Sequence, residues 1–449
     1  MTRPSCRIIL ITRMKTPNAG NEALSMELIK FLRREIPDAE IRVIDRYPAY
    51  LAHFTLKAIE KAPNKFTFLD HQVDDLIGRV RMRPAKELAP IADEALIRLV
   101  QPDKERTSAI NNMKRLFGLR RNLARFGLIG RRELSCAVAT CAQSDILVWN
   151  PAGEFHPTGN SDEVFRLLVM VRLAQRLGRR TVIVNHSLEI VDSSLRDLVS
   201  CVYSHADFVI VRDSRSYQEA LALGVSKDRL GQAPDLVFLT AIDAPLDLTA
   251  QDNLVERAPV GLSINGLEAY SGTDEWDILL SFLVGLNRPL VFVSNAIHRD
   301  RLFAKELQQR YPIKVIHHQL SYTELQTMYS SFAVLIASRL HSSILAISRG
   351  TPVISIEPSV FKLTAILEQM SYPYQTEDPR FPGWAERATS KIAHALTHRR
   401  EVSAFGRAAA MAQAQLIREG YEPVFSMVQG THWSAGLDQR KRTGSWLCS

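Results

Sequence analysis

The segment Ser338-Arg339-Leu340-His341 places an arginine and a histidine directly after a strongly apolar run. Ser338 is a residue type that caps helices, and the apolar pattern that follows it stops at Gly350. A strand that ends here and a helix that begins here would hold Arg339 and His341 beside unpaired backbone N–H groups and the positive end of the helix dipole. This arrangement predicts a site for a phosphate or carboxylate group. The alternative is that Arg339 pairs with a structural carboxylate and His341 only caps the helix.

Two further cations follow predicted strand ends. Arg212 comes directly after an apolar run, so we expect its side chain to point into a cleft, whereas Arg215 lies a turn further on, where it could face solvent. Arg212 also has Asp213 as its neighbour, and such a pair is a common structural ion pair. Lys362 lies beyond another predicted strand, although an isolated lysine is more often a surface residue than a ligand. Arg212 and Lys362 are therefore candidates for binding an anion, with a structural or surface role as the alternative.

Two loops after predicted strands contain glycines that let the backbone approach a ligand. The first loop carries Asn18, Gly20 and Asn21, and it matches neither the GxGxxG nor the Walker pattern, so dinucleotide binding has little support. The second loop carries Gly153 and Glu154. Glu154 is a candidate general base near the cleft, with a helix-start carboxylate as the alternative.

The elements that must position these residues alternate between short apolar strands and helical stretches, which is typical of parallel α/β sheets. Two such series predict two doubly wound Rossmann-like domains with a cleft between them, outside the carboxyl ends of the strands. The first domain covers 1–242 and includes an insertion at about 48–133. The second covers 259–385, and helices at 386–428 and a flexible tail at 429–449 follow it. The predicted strands are centred on 7–12, 41–45, 145–149, 181–184, 207–211, 260–264, 290–293, 313–316, 333–337 and 352–356.

Composition narrows the class of protein. The chain has 449 residues, a formal net charge of +8 and a hydrophobic fraction of 46%, which are values of a folded globular protein. No apolar stretch is long enough for a membrane span, so we expect a cytoplasmic location. The five cysteines lack metal-type clustering and are interpreted as reduced thiols, and no metal site is predicted.

One segment of the insertion, 114–132, holds seven basic residues and no acid, interleaved with apolar ones. This composition suits the surface of an anionic membrane, and an ordinary helix with a solvated basic face is the alternative. Nucleic-acid binding is not favoured, because the positive charge is local and no recognised motif accompanies it.

Several short motifs, taken in order along the chain, resemble the polysaccharide pyruvyl transferase family. They are 18–24, the Pro151-Ala152-Gly153 loop, 211–216 with 223–225 and Asp235 downstream, 338–341 and 350–354. The resemblance implies a GT-B-like fold and transfer of a pyruvyl group from phosphoenolpyruvate to sugar hydroxyls as a ketal.

The resemblance also implies roles for particular residues. Arg212, Arg339, His341 and Lys362 are expected at the donor, and no cofactor is expected beyond phosphoenolpyruvate as the donor substrate. We assign Asn18, Gly20, Asn21 and Gly153 to the acceptor side, which is the least transferable part, because the glycine-rich run of the family is reduced here to the single Gly153. The expected acceptor is a glycan or lipid-linked saccharide in exopolysaccharide or cell-surface polysaccharide biosynthesis.

The proposed chemistry fits the residues. Phosphoenolpyruvate carries a phosphate and a carboxylate, so cations from several strand ends suit it. Ketal formation needs a proton at the vinyl carbon, and imidazole is the side chain that changes charge near neutral pH, so we nominate His341 as the acid and Glu154 as the base. The alternatives are a GT-B glycosyltransferase that uses a nucleotide sugar and a non-catalytic binding protein. No glutamate pair of the kind that holds a nucleotide ribose follows Gly350.

Overall fold

A computed structural model describes most of the chain. The described residues are 6–13, 18–45, 141–142, 144–155, 161–190, 193–242, 257–265, 275–316, 318–357 and 361–430. The predicted insertion 48–133, its basic stretch 114–132 and residues 431–449 of the predicted tail lie outside them, so those predictions are not addressed by the structure.

The first sheet has six parallel strands in the order β2-β1-β3-β4-β5-β6. Its central strands are continuous runs of branched apolar residues, because helices cover both faces of the sheet. The strands are β1 (Cys6–Thr12), β2 (Ala39–Asp45), β3 (Ile146–Trp149), β4 (Arg180–His186), β5 (Phe208–Val211) and β6 (Leu230–Gln232).

The second sheet has five parallel strands in the order β11-β10-β7-β8-β9. The central strands β7 and β10 are buried along their whole length. The strands are β7 (Val260–Ser263), β8 (Leu290–Val293), β9 (Ile313–Ile316), β10 (Val334–Ala337) and β11 (Val353–Ser355).

Helices follow most of the strands and shield both sheets, and the last three described helices come after β11. They are α1 (Ala19–Glu35), α2 (Ser161–Arg176), α3 (Ser193–Ser204), α4 (Ser214–Ala222), α5 (Glu275–Gly285), α6 (Ile297–Arg310), α7 (Tyr322–Ser330), α8 (Leu340–Ser348), α9 (Lys362–Gln369), α10 (Trp384–Thr397) and α11 (Arg399–Gln429). A 3₁₀ segment, Leu236–Ala241, follows β6.

The long last helix, α11, returns to the first sheet. Phe31 of α1 makes edge-to-face contacts with Tyr421 and Phe425 of α11. Gly420 lies so close to β6 that an added Cβ would come within 2.5 Å of the Ala233 Cβ atom. Because α11 starts beside the second sheet and ends on the first, it ties the two halves of the protein together.

The two sheets face each other through their carboxyl ends. The backbone N–H of Ala19, at the start of α1, donates to the carbonyl of Asn295 just beyond β8, with an N···O distance of 3.2 Å. The Lys30 ammonium on α1 donates to the Tyr322 hydroxyl on α7 at 2.9 Å. The two doubly wound domains and the cleft predicted from the sequence are therefore confirmed.

Candidate active site

The helix α8 begins directly at the cleft. Its N-cap is Arg339, whose backbone is extended and whose side chain does not cap the helix. Ser338 was expected to be the cap, and this is wrong: its hydroxyl accepts a hydrogen bond from the Asn265 N–H at 2.6 Å instead, which joins β10 to β7. The first N–H groups of α8 therefore have no side-chain cap, and the positive end of the helix dipole is directed at the cleft.

Asp235 connects the two halves of the site. It follows β6 and is fully buried. Its Oδ2 accepts a hydrogen bond from Arg212 Nη1 at 2.7 Å and lies 3.6 Å from His341 Nε2, across the cleft. Burial alone would raise the pKa of Asp235, but His341, Arg212 and the N–H of Val237 outweigh it and lower that pKa to about 2. The carboxylate is therefore ionised, and it keeps the side chains of Arg212 and His341 close to each other.

Arg212 is buried at the carboxyl end of β5, with 1% of its surface exposed. Its Nε donates to the Ser187 hydroxyl at 2.8 Å. The sequence neighbour Asp213, considered as its ion-pair partner, instead caps α4 by accepting from the Ser216 N–H at 2.8 Å. Arg215 is exposed and its guanidinium stacks on the Phe361 ring, 5.1 Å from the ring centre. The buried partner of Arg212 is thus Asp235, 23 residues further along the chain.

Arg339 points to the other side of the α8 entrance. One Nη atom donates to Asp300 and to the Asn265 side chain. The sequence analysis gave pairing with a structural carboxylate as the alternative for Arg339, and that carboxylate is Asp300. The Nε atom of Arg339 and the Nε2 atom of His341 are both buried and make no hydrogen bond among the described residues. A helix start without a side-chain cap, with these two nitrogens beside it, is an arrangement suited to an anion.

Lys362 reaches the cleft from the start of α9. Its ammonium donates to the Phe155 carbonyl, beyond β3, at 3.1 Å. Burial and the positive charge of Arg212 lower the pKa of Lys362 to about 7, although Glu189, among other carboxylates, acts in the opposite direction. An amine held in this range takes up a proton readily when an anion binds beside it.

A second histidine, His186, lies at the end of β4. It is fully buried, and one ring nitrogen is 2.9 Å from the Tyr203 hydroxyl. Burial and the charge of Arg212 lower the pKa of His186 to about 3. His186 is therefore neutral at physiological pH and is a poor proton donor, which leaves His341 as the acid candidate in the described part of the cleft.

The first loop packs directly on His341. Asn18 caps α1 by accepting from the N–H groups of Gly20 and Asn21, and it receives a further contact from the Asn295 side chain at 3.4 Å. A Cβ atom added to Gly20 would lie 2.3 Å from His341 Nδ1. The loop assigned to the acceptor thus positions α1 against the imidazole, and its contact with an acceptor stays a prediction.

The second loop contains a buried ion pair that the sequence did not predict. Glu154 is bound by the guanidinium of Arg13, the residue after β1, through both carboxylate oxygens. Both carboxylate oxygens of Glu154 are therefore already occupied by Arg13. Gly153 has open space around its Cα atom. The roles of Glu154 as base and Gly153 at the acceptor stay predictions.

Two carboxylates to which the sequence analysis assigned no role complete the site. Asp235 and Asp300 fix the positions of His341, Arg212 and Arg339, yet neither follows a strong strand signal of its own. Among the residues that the structure describes, no three potential ligands are grouped so as to hold a metal ion. Within the same residues, no helix is long and apolar enough to cross a membrane.

Two parallel α/β sheets whose carboxyl ends enclose a cleft define a GT-B-like fold. The chain is similar to the Anabaena HepE protein in complex with UDP-glucose, with 11% identity, a TM-score of 0.51 and coverage of 95% of this chain and 99% of that one. It is also similar to α,α-trehalose 6-phosphate synthase from Burkholderia multivorans, with 10% identity, a TM-score of 0.51 and coverage of 99% and 100%. At such low identity these likenesses show the fold alone.

The sequence itself is more informative than the neighbouring structures. No curated protein matches it. The profile of polysaccharide pyruvyl transferases matches residues 18–359, so the chain belongs to the polysaccharide pyruvyl transferase family. The family resemblance drawn from the short motifs is thus confirmed, and the protein is a transferase.

Proposed function

We propose that the protein transfers a pyruvyl group from phosphoenolpyruvate to hydroxyls of a saccharide, forming a ketal and releasing phosphate. One observation carries the proposal. The uncapped start of α8 brings two buried nitrogens that make no hydrogen bond within the described residues, Arg339 Nε and His341 Nε2, into the same cleft as Arg212 and Lys362.

The charges of this cleft suit a small polyanion. Asp235 and Asp300 already compensate Arg212 and Arg339, so the charge available to a ligand comes from Lys362, His341 and the helix dipole. Phosphoenolpyruvate has a phosphate and a carboxylate, and each of them can bind a different one of these positive groups. Binding would raise the protonation of Lys362 and increase the attraction further.

The proposed reaction starts with a proton from His341 to the vinyl carbon, which becomes a methyl group. Positive charge then develops on the adjacent carbon, and a sugar hydroxyl attacks it. The bond from this carbon to the phosphate oxygen breaks, and a second hydroxyl of the sugar closes the ketal. Of the two hydroxyl protons, one balances the proton given to the methyl group and the other leaves with phosphate. Asp235 stabilises the protonated imidazole and holds its orientation.

The setting is part of the proposal. We place the enzyme in the cytoplasm, acting on a glycan or a lipid-linked saccharide for an exopolysaccharide or cell-surface polysaccharide. The basic stretch 114–132 would give it a reversible contact with the inner membrane face. Salt-sensitive sedimentation with anionic but not neutral liposomes tests this contact.

Calorimetric titration with phosphoenolpyruvate, and separately with UDP, tests the donor. We expect phosphoenolpyruvate to bind the wild type and to bind Arg339→Ala at least tenfold more weakly. Binding of UDP together with no detectable binding of phosphoenolpyruvate would favour a glycosyltransferase and reject the proposal.

A further inference from the structure

Two asparagines lie at the carboxyl ends of β3 and β4, Asn150 directly after β3 and Asn185 as the last residue but one of β4, and the anion site does not use either. Asn150 and Asn185 are 2% and 1% exposed. Trp149 pairs with Ile183 in the parallel ladder, so Asn150 comes opposite Val184, the residue before Asn185, on neighbouring strands about 4.8 Å apart. Each has one side-chain atom without a hydrogen-bond partner in the described chain: Oδ1 of Asn150 and Nδ2 of Asn185.

The orientation of the Asn150 amide is fixed by a chain of hydroxyls. The Ser25 hydroxyl has one hydrogen and lies 2.9 Å from two carbonyls, those of Arg13 and Asn21. Because a carbonyl can only accept, this hydrogen is directed at one of them. The Thr12 hydroxyl, 2.7 Å from Ser25, must therefore donate to Ser25 and accept from Asn150 Nδ2, at 3.1 Å. Asn150 Oδ1 is thus the atom left over, and it needs a donor.

The orientation of Asn185 is fixed in the opposite sense. Its Oδ1 accepts from the backbone N–H of Leu236 at 3.2 Å, which leaves Nδ2 as the free end. Its backbone lies in the left-handed region with φ of 58°, a conformation that asparagine tolerates better than most residues. Leu236 is the neighbour of Asp235, so Asn185 Nδ2 requires an acceptor close to Arg212 and His341.

One unfilled acceptor and one unfilled donor, both neutral, match a hydroxyl group. A hydroxyl donates one hydrogen bond and accepts others, whereas an ionised phosphate or carboxylate has no hydrogen to give to Asn150 Oδ1. Burying these atoms without partners is costly, and a sugar hydroxyl satisfies both. We infer that Asn150 and Asn185 form a subsite for a hydroxyl of the acceptor sugar, beside the donor site. This inference rests on the proposed pyruvyl transfer.

The consequence is a defined position for the acceptor. The subsite lies on the face of the first sheet that carries α1 and the 3₁₀ segment Leu236–Ala241, because Asn150 contacts Thr12 and Asn185 contacts Leu236 there. The hydroxyl held at this point neighbours Asp235 and the acid candidate His341. A neutral sugar is therefore bound by the first domain, while the anionic donor is held mainly by the second.

The test combines changes in the protein with changes in the sugar. Saturation-transfer NMR measures the binding of methyl glucoside, methyl galactoside and methyl mannoside, in the presence of phosphoenolpyruvate, to the wild type, Asn150→Ala and Asn185→Gly. Asn287→Gly is the matched control, because Asn287 has a similar φ of 55° and lies exposed on the surface. We expect the best-binding glycoside to lose about tenfold in affinity in both cleft variants and to be unaffected in the control.

Monodeoxy forms of that glycoside identify the hydroxyl. Removal of the bound hydroxyl should lower the affinity of the wild type for the glycoside about tenfold. The same removal should lower the affinity of Asn185→Gly only slightly, because this variant has already lost the contact. A full and additive loss in the variant, or equal glycoside binding by all proteins, would mean that the asparagines hold an ordered water and would overturn the inference.

Calorimetry with phosphoenolpyruvate on the same proteins separates the two claims. If the donor binds and no glycoside binds the wild type, the subsite is rejected and the donor assignment stands. If a glycoside binds and depends on the asparagines while phosphoenolpyruvate does not bind, the subsite stands and the proposed donor is rejected.

Discussion

Replacing Gly20 with alanine tests the close packing of the first loop on the imidazole. The added Cβ would lie 2.3 Å from His341 Nδ1 and 2.8 Å from the Cβ and Cγ atoms of the same residue. Helix α1 cannot simply withdraw, because the Ala19 N–H is bonded to the Asn295 carbonyl on the opposite domain. The imidazole must therefore move relative to Asp235, whose Oδ2 atom lies 3.6 Å from Nε2.

The size of the effect follows from the geometry. Relief of the clash to an ordinary contact requires a shift of about 1 Å, and a misplacement of that size in a reacting group costs on the order of a hundredfold in rate. Overpacking of this kind costs about 1–3 kcal/mol of folding free energy. We expect kcat for phosphate release from phosphoenolpyruvate, with a saccharide present, to fall about a hundredfold, while the affinity for phosphoenolpyruvate changes much less.

Gly285→Ala is the control for this substitution. Gly285 ends α5, is exposed and has nothing within 4 Å of an added Cβ, so stability and turnover should be unchanged or slightly improved. Thermal unfolding separates a loss of rate from a loss of folded protein. If Gly20→Ala keeps wild-type kcat and melting temperature, the contact between α1 and His341 plays no part in catalysis and the reasoning is refuted.

Three further predictions concern the groups around the proposed donor. His341→Ala should lower kcat more than it lowers the affinity for phosphoenolpyruvate, because proton transfer acts in the transition state. Arg339→Ala should lower both kcat and this affinity. If His341→Ala changes only KM, the histidine is a phosphate ligand and not the acid. Asp235→Asn should destabilise the protein by about 3–5 kcal/mol in urea unfolding at pH 7, because the buried Arg212 guanidinium loses its charged partner. The pKa of Asp235 is about 2 in the folded protein and higher in the unfolded chain, so the carboxylate stabilises the fold at pH values above its unfolded pKa and loses this effect as the pH falls. The difference in unfolding free energy between the wild type and Asp235→Asn should therefore be smaller at pH 3 than at pH 7. A difference that does not change with pH contradicts this prediction. Because the pKa of Lys362 is about 7, the binding of phosphoenolpyruvate at pH 8 should be accompanied by the uptake of about one proton. Calorimetry in buffers of different ionisation enthalpy measures this uptake, which should be smaller for Lys362→Met. Equal uptake by the two proteins would mean that another group takes up the proton.

The sequence predicts the sheets well, because buried parallel strands appear as uninterrupted apolar runs. Ten of the eleven described strands overlap the strands predicted from the sequence, although β2 and β9 are interrupted by charged residues. The missed strand, β6, is three residues long and contains a glycine, so it carries no apolar pattern of its own. It pairs with β5 and contacts α11, which begins about 170 residues later in the chain.

The site was predicted in part. Strand ends and helix starts located Arg212, Arg339, His341 and Lys362, because these signals are local in the sequence. The partners that orient these cations, Asp235 and Asp300, and the pairing of Arg13 with Glu154, depend on contacts between distant segments. Asn150 and Asn185 gave no signal at all, since their unfilled atoms can be recognised only after every other hydrogen bond around them is known.

The most direct test of pyruvyl transfer follows the methyl group that the reaction creates. Phosphoenolpyruvate labelled with ¹³C at its vinyl carbon is incubated in D₂O with the enzyme and a saccharide acceptor, and the products are observed by NMR. The account predicts that the vinyl signal is replaced by a ketal methyl carrying deuterium, that phosphate is released in equal amount, and that His341→Ala abolishes both. Conversion to free pyruvate alone, or consumption of a nucleotide sugar with the vinyl signal unchanged, would contradict it.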